Sequence, residues 1–295
     1  MKDNFADVGR GITLCYRTDG DPAGTPLLLV AGLSVDLTVW PEAMVDGLVR
    51  SGFYVIRFDN RDIGRSTQID TKAPGTLRKL MARPRADAYD LGDMAADTVG
   101  LLDHLGIGQA NVVGMSMGGM IAQTVAARYP ERVTSLTSIF STTGDPSVGQ
   151  PRKSTMLHLA APPARTKRKA IARHVRMMRH IASAGFPFEE AAEREYAAAA
   201  WDRGAGPLTG RGVARQISAI HKSGDRTAEL ARVTAPTLVI HGDRDLIVAP
   251  SGGRATAAAI SGARHVVIPG MGHNFPAGVI PRLLELIASH VEVSA

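Results

Sequence analysis

One cysteine, Cys15, stands in the whole chain of 295 residues, so no intrachain disulfide can form and no cysteine-based metal site can be assembled. No apolar run approaches the length needed to cross a bilayer, so stable membrane insertion is not expected. The first seven residues, Met1-Lys2-Asp3-Asn4-Phe5-Ala6-Asp7, carry acids where a secretory signal needs an apolar stretch, and a cytoplasmic enzyme is the expectation. There is no internal repeat and no low-complexity tail. The net charge of +6 raises the question of an acidic partner. Much of the excess lies within residues 152–179, where the basic side chains alternate with Ala, Met and Ile and lack the aromatics that would stack bases. A solvated helix face accounts for it better than nucleic-acid binding.

What the chain does contain is organised around Asn111-Val-Val-Gly114-Met-Ser116-Met-Gly118-Gly-Met120. An apolar run precedes the first glycine and a helix-like pattern follows the last, which is the setting of a nucleophile elbow. Side chains at 114 and 118 would collide with neighbouring backbone in so tight a turn. Ser116 would then stand above the sheet at the positive end of the following helix. Two other glycine-rich turns do not fit. A dinucleotide fingerprint needs a glycine where Ser116 stands and an acid some twenty positions on, near Ser135 and Leu136; a phosphate loop needs Gly-Lys-Ser or Gly-Lys-Thr.

Continuous apolar runs at residues 26–30 and 53–58, the run before the elbow, and residues 133–140, 236–241 and 265–268 read as strands. Residues 11–17 alternate as a half-buried strand does, with Cys15 as a small buried or half-buried member. Helical spacing occupies residues 40–50, 93–105, 117–128 and 281–291. Strand, helix and strand in alternation predict an α/β protein with a mostly parallel sheet covered by helices on both faces. Residues 143–232 break this pattern. They show helix-like stretches separated at Pro162-Pro163, Gly185-Phe186-Pro187 and Gly204-Ala205-Gly206-Pro207, and Ile171, Val175, Met178 and Ile181 share one helical face from which Arg173, Arg176 and Arg179 largely turn away. The expected organisation is a core of residues 1–142 and 233–295 with a helical cap inserted at 143–232, a movable cover over an apolar entrance.

A serine hydroxyl is a weak nucleophile at neutral pH and needs a base, which in turn needs an orienting acid. On a parallel sheet these belong in loops after later strands, in the order Ser, acid, His. Of nine histidines only His273 lies in a glycine-flanked loop after the last strand. Asp243 and Asp245 both follow the preceding strand. Asp245 is preferred, because the residue next to a strand is commonly engaged by its own turn, and Asp243 could cap that turn through an Asx-type bond.

The elbow, the run Asp59-Asn-Arg-Asp-Ile-Gly-Arg-Ser66, His241-Gly-Asp-Arg-Asp245 and Gly270-Met-Gly-His273 together resemble the α/β-hydrolase superfamily, and within it the esterases grouped with aclacinomycin methylesterase. The resemblance implies Ser116 as nucleophile, His273 as base, Asp245 as its acid, and an oxyanion hole formed by the backbone N–H groups of Leu33 and Met117. It implies no metal or organic cofactor and is much less specific for the substrate; the apolar residues Ile171, Val175 and Met178 of the cap, with Leu33, Met115 and Met117 near the nucleophile, lead us to expect a carboxylic ester of an apolar small molecule. Thioesterases, lactonases, C–C bond hydrolases and cofactor-free haloperoxidases share the fold, and a non-catalytic ligand-binding member is the alternative of another class. One departure concerns the oxyanion loop: where many members carry His-Gly, this chain has Ala31-Gly32; the donor is a backbone group, so the hole is expected to survive, and what the departure leaves open is how the loop is braced.

Overall fold

The alternation of side chains along the central strands decides how this molecule is layered. In a computed structural model that describes residues 2–71, 84–159, 164–204 and 209–294, Leu28, Val30 and Val112 point into one apolar cluster while Leu27, Leu29 and Val113 point into another. A strand that is apolar at every position must be covered on both faces, and β3 (Thr25–Val30), β5 (Ala110–Met115) and β7 (Thr237–Gly242) lie in the interior of one eight-stranded sheet. With β1 (Asn4–Asp7), β2 (Thr13–Asp19), β4 (Phe53–Phe58), β6 (Val133–Ile139) and β8 (Arg264–Ile268), the order is β1-β2-β4-β3-β5-β6-β7-β8. The strands from β3 to β8 run parallel, and β2 joins them antiparallel beside β4.

Helices cover both faces. On one, α1 (Glu42–Arg50) supplies Met44 and Leu48, and the last helix supplies Leu283 and Ile287. On the other, α2 (Leu91–His104) supplies Met94 and Leu102, and α3 (Met117–Arg128) supplies Met120, Ile121 and Val125. Helix α2 starts where a capping box allows it to: the Asp90 side chain accepts from the Asp93 N–H, and Asp93 answers to the Asp90 N–H. Helix α3 is buried from Met117 to Ala127, as a helix is when it leaves the centre of a sheet.

Between β6 and β7 the described residues form helices only: α4 (Lys153–Leu159), α5 (Lys167–Ile181), α6 (Glu190–Arg203), α7 (Thr209–Ser223) and α8 (Thr227–Leu230). The chain then completes the sheet with β7 and β8, joined by α9 (Ser251–Ala259), and closes on α10 (Ile280–Ser294). On α5 the apolar stripe faces inward, with Val175 and Ile181 buried and Arg176 and Arg179 exposed. Gly185-Phe186-Pro187 separates α5 from α6; Pro162-Pro163 and residues 205–207 lie outside the described residues. Cys15 is buried on β2, and burial pushes its thiol up to about 12. Among the described residues no helix is long and apolar enough to cross a membrane. Strand β1 has no counterpart in the sequence reading, because only Ala6 of its four residues is buried and so short an edge strand leaves no pattern.

Candidate active site

The parallel strands end on the same side of the sheet, and the loops after β3, β5, β7 and β8 meet there. Ser116 sits between β5 and α3 at φ 54° and ψ −122°, a left-handed conformation that a side-chain-bearing residue adopts only under constraint. The constraint is visible. The Ser116 N–H donates to Ile139 O at 2.9 Å, its carbonyl accepts from the Met120 N–H at 3.1 Å, and Ser141 Oγ donates to the same carbonyl at 2.8 Å. A Cβ at Gly114 would lie 2.2 Å from Gly118 O, and one at Gly118 would lie 2.1 Å from Val30 O, so the turn closes only with glycine at both places.

Facing Ser116 is His273, whose Nε2 is 3.0 Å from Ser116 Oγ and whose Nδ1 is 2.6 Å from Asp245 Oδ2. Burial alone would raise the Asp245 carboxyl, but the neighbouring His273 and His241 outweigh it and hold it well below the ordinary carboxylate range. An ionised carboxylate can only accept, so the imidazole proton belongs on Nδ1, and the Nε2 lone pair is left facing the serine hydroxyl. The other oxygen, Oδ1, accepts from the Ile247 and Val248 N–H groups at 2.8 and 2.9 Å. Asp245 therefore makes the Asx-type turn that the sequence suggested for Asp243. Asp243 instead accepts from the Gly270 N–H at 2.6 Å, which ties the β7 loop to the loop bearing His273. The imidazole packs against Phe140, ring centroids 4.5 Å apart, and Phe140 against Phe275.

His241 was missed by sequence reasoning. Fully buried on β7, it places Nε2 2.9 Å from Val248 O and 3.4 Å from Asp245 Oδ2. Since a carbonyl only accepts, this Nε2 carries the proton and points it at the carboxylate as well.

The loop after β3 lies against the elbow: a Cβ at Gly32 would be 3.3 Å from Met115 O and from Ser116 Cβ. Among the described residues neither the Leu33 nor the Met117 N–H is engaged by a protein acceptor. The brace of this loop comes from the 59–66 run. Asn60 Nδ2 donates to Ala31 O at 2.9 Å, and Asp59 Oδ1 accepts from the Leu37 N–H at 2.8 Å. Burial pushes the Asp59 carboxyl up to about 6, Arg203 opposing the shift and Asp36 adding to it. The motif was legible as a motif, but its partners lie more than twenty residues away and carry no local signal.

The helices between β6 and β7 are tied to these same loops. Ser183 Oγ accepts from the Gly272 N–H at 2.8 Å and donates to Asn274 Oδ1 at 2.7 Å, and the His273 N–H donates to Ile181 O at 3.1 Å. Arg203 of α6 reaches Asp59 at 2.6 Å and Asp36 at 3.2 Å. Arg215 of α7 grips Asp62 with two bonds, 2.8 and 2.5 Å, beside the Tyr89 hydroxyl.

A strained serine, an imidazole with its free lone pair toward that serine, and an ionised acid behind it form an arrangement able to carry out acyl transfer. The chain belongs to the alpha/beta hydrolase fold family, which matches residues 25–276. It is 34% identical to the rhodomycin D methylesterases of Streptomyces peucetius and of Streptomyces sp. strain C5, with 96% of this chain and 96% of each relative covered. Among solved structures it is similar to 2-hydroxy-6-oxo-6-phenylhexa-2,4-dienoate hydrolase from Rhodococcus sp. strain RHA1, at a TM-score of 0.77, 19% identity, and coverage of 99% of this chain and 98% of that one. That last likeness concerns the fold alone.

Proposed function

We propose that this protein is a serine esterase that cleaves a carboxylic ester, a methyl ester foremost, of an apolar small molecule. The observation that carries the reading is the chain of contacts from Asp245 through His273 to Ser116, 2.6 and 3.0 Å long. In this reading His273 takes the Ser116 proton as Oγ attacks the ester carbonyl. The Leu33 and Met117 N–H groups hold the oxyanion, His273 returns the proton to the departing alcohol, and water activated by the same imidazole then releases the acid. No cofactor takes part.

The choice of a methyl ester follows the rhodomycin D methylesterases, whose likeness spans nearly the full chain. An apolar acyl body fits the methionines beside the serine, Met115 and Met117, both buried, and the inward stripe of α5 formed by Ile171, Val175 and Met178. We take residues 143–232 as a cap inserted into a core of 1–142 and 233–295. The basic run of α5 meets acids of α6, through Lys167 with Asp202 at 2.5 Å, His174 with Glu193 at 2.7 Å, and Arg179 with Glu190. A single cysteine is in keeping with work in the cytoplasm.

The test is a panel: p-nitrophenyl esters of increasing chain length, methyl esters of bulky aromatic acids, a lactone, a thioester and a C–C cleavage substrate. Bulky methyl esters and medium-length p-nitrophenyl esters are expected to be hydrolysed. Turnover confined to small charged esters, or to C–C bonds, would overturn the reading of the substrate.

A further inference from the structure

The candidate oxyanion donor Leu33 N–H belongs to the peptide between residues 32 and 33, so its direction depends on the peptides on either side. The one before it is fixed from the core, where Asn60 Nδ2 donates to Ala31 O at 2.9 Å. The one after it is held from α7, where the Ser34 N–H donates to Gln216 Oε1 at 3.2 Å. Ser34 has φ 66°, a conformation costly enough for a non-glycine residue that it needs an outside hold. Gln216 is a residue of α7, 182 positions further along the chain, with no solvent exposure.

Three contacts keep Gln216 where it is. Its Nε2 donates to Arg61 O at 2.9 Å. The preceding residue, Arg215, holds Asp62 with two bonds. One turn earlier α7 comes so close to the same loop that a Cβ at Gly212 would stand 2.0 Å from Asp62 O. Both ends of the Gln216 amide are therefore engaged, one on the loop that carries Asn60 and the other on the loop that carries Leu33, and it cannot rotate without stranding the buried Arg61 carbonyl.

We propose that Gln216 is a positioning residue for catalysis: through Ser34 it sets the Leu33 N–H at the angle the oxyanion requires, so that a helix between β6 and β7 completes the catalytic centre. The inference rests on the reading of Ser116, His273 and the Leu33 and Met117 N–H groups as an esterase site. It adds a residue that touches none of the reacting atoms.

The experiment replaces Gln216 by Met, which keeps the side-chain volume and removes both hydrogen bonds, and by Glu, which keeps the acceptor toward Ser34. Each is compared with wild type on the best p-nitrophenyl ester, with an alkylboronic acid as oxyanion mimic and the product carboxylate as ground-state ligand. Loss of an oxyanion donor itself lowers kcat by roughly 10² to 10³, so misdirecting one is expected to lower the kcat of Q216M by roughly 10- to 100-fold with KM within about threefold. Boronic acid affinity should weaken by the same factor, product affinity should not change, and Q216E should recover at least half of the lost logarithm of kcat. A merely structural role would not move the boronic acid and leave the product untouched. A folded Q216M within twofold of wild type, a loss shared equally by KM and product binding, or a Q216E as slow as Q216M would overturn the proposal. If Q216M does not fold, Gln216→Asn, which withdraws the amide by one methylene, is read for the same split. A wild-type protein that hydrolyses no ester removes the esterase reading itself, whereas an active wild type with an unaffected Q216M removes only this inference.

Discussion

Two aspartates two positions apart, Asp243 and Asp245, do different work because of where their oxygens go. Asp245 divides its carboxylate between the imidazole and its own turn, and Asp243 spends Oδ1 on the Gly270 N–H. Asp245→Asn is therefore expected to lower turnover by about 10⁴, since an amide can no longer hold the imidazole in the tautomer that accepts the serine proton, and Asp243→Asn by much less. Initial rates on one ester decide it, and the reverse order would contradict the assignment. The same carboxyl makes a statement about stability. Its folded value is depressed below the unfolded value of about 3.9, so it stabilises the folded protein above that pH and loses this contribution as pH falls toward the folded value. The gap in melting temperature between wild type and Asp245→Asn should thus narrow as pH falls below about 4; a gap that keeps its full size down to about pH 2 would be inconsistent with this contribution. Ser116, His273 and the two aspartates could be singled out in the sequence because each stands in a short glycine-marked loop after an apolar run. The partner of Asp243, 27 residues away, could not.

Among the elements, β3 and β7 were legible because burial on both faces leaves consecutive apolar residues, Leu27 to Val30 and Leu238 to Ile240. The stripe on α5 was legible from its spacing. What helices would brace the loops after β3 and β4 was not, because the bonds from α6 and α7 to Asp59, Asp62 and Ser34 join residues more than 140 positions apart. These bonds bear on the expectation of a movable cover. Arg203, Arg215, Gln216 and Ser183 pin α6, α7 and the segment after α5 to the loops of the site, so any opening that leaves the site intact must leave these segments in place. Arg215→Met would leave Asp62, which is fully buried, with the Tyr89 hydroxyl and backbone contacts but no cation. Removing one partner of a buried pair costs about 3–5 kcal/mol, and urea unfolding should register a loss of that order. A change below about 1 kcal/mol would mean that α7 is not anchored there.

For the whole molecule, the sheet gathers four loops at one end, and residues separated by as much as 157 positions, Ser116 and His273, come within 3.0 Å. On the proposed reading, this convergence turns Ser116 into a nucleophile. The most direct measurement is reaction with a fluorophosphonate probe followed by peptide mass spectrometry, on wild type, Ser116→Ala and His273→Ala, alongside ester turnover. A single stoichiometric adduct is expected on Ser116 of the wild type, none on either variant in the same time, and a fall in turnover on the order of 10⁶ for Ser116→Ala with unchanged folding. An adduct on another residue, or a folded Ser116→Ala protein that keeps more than about a hundredth of wild-type turnover, would contradict it.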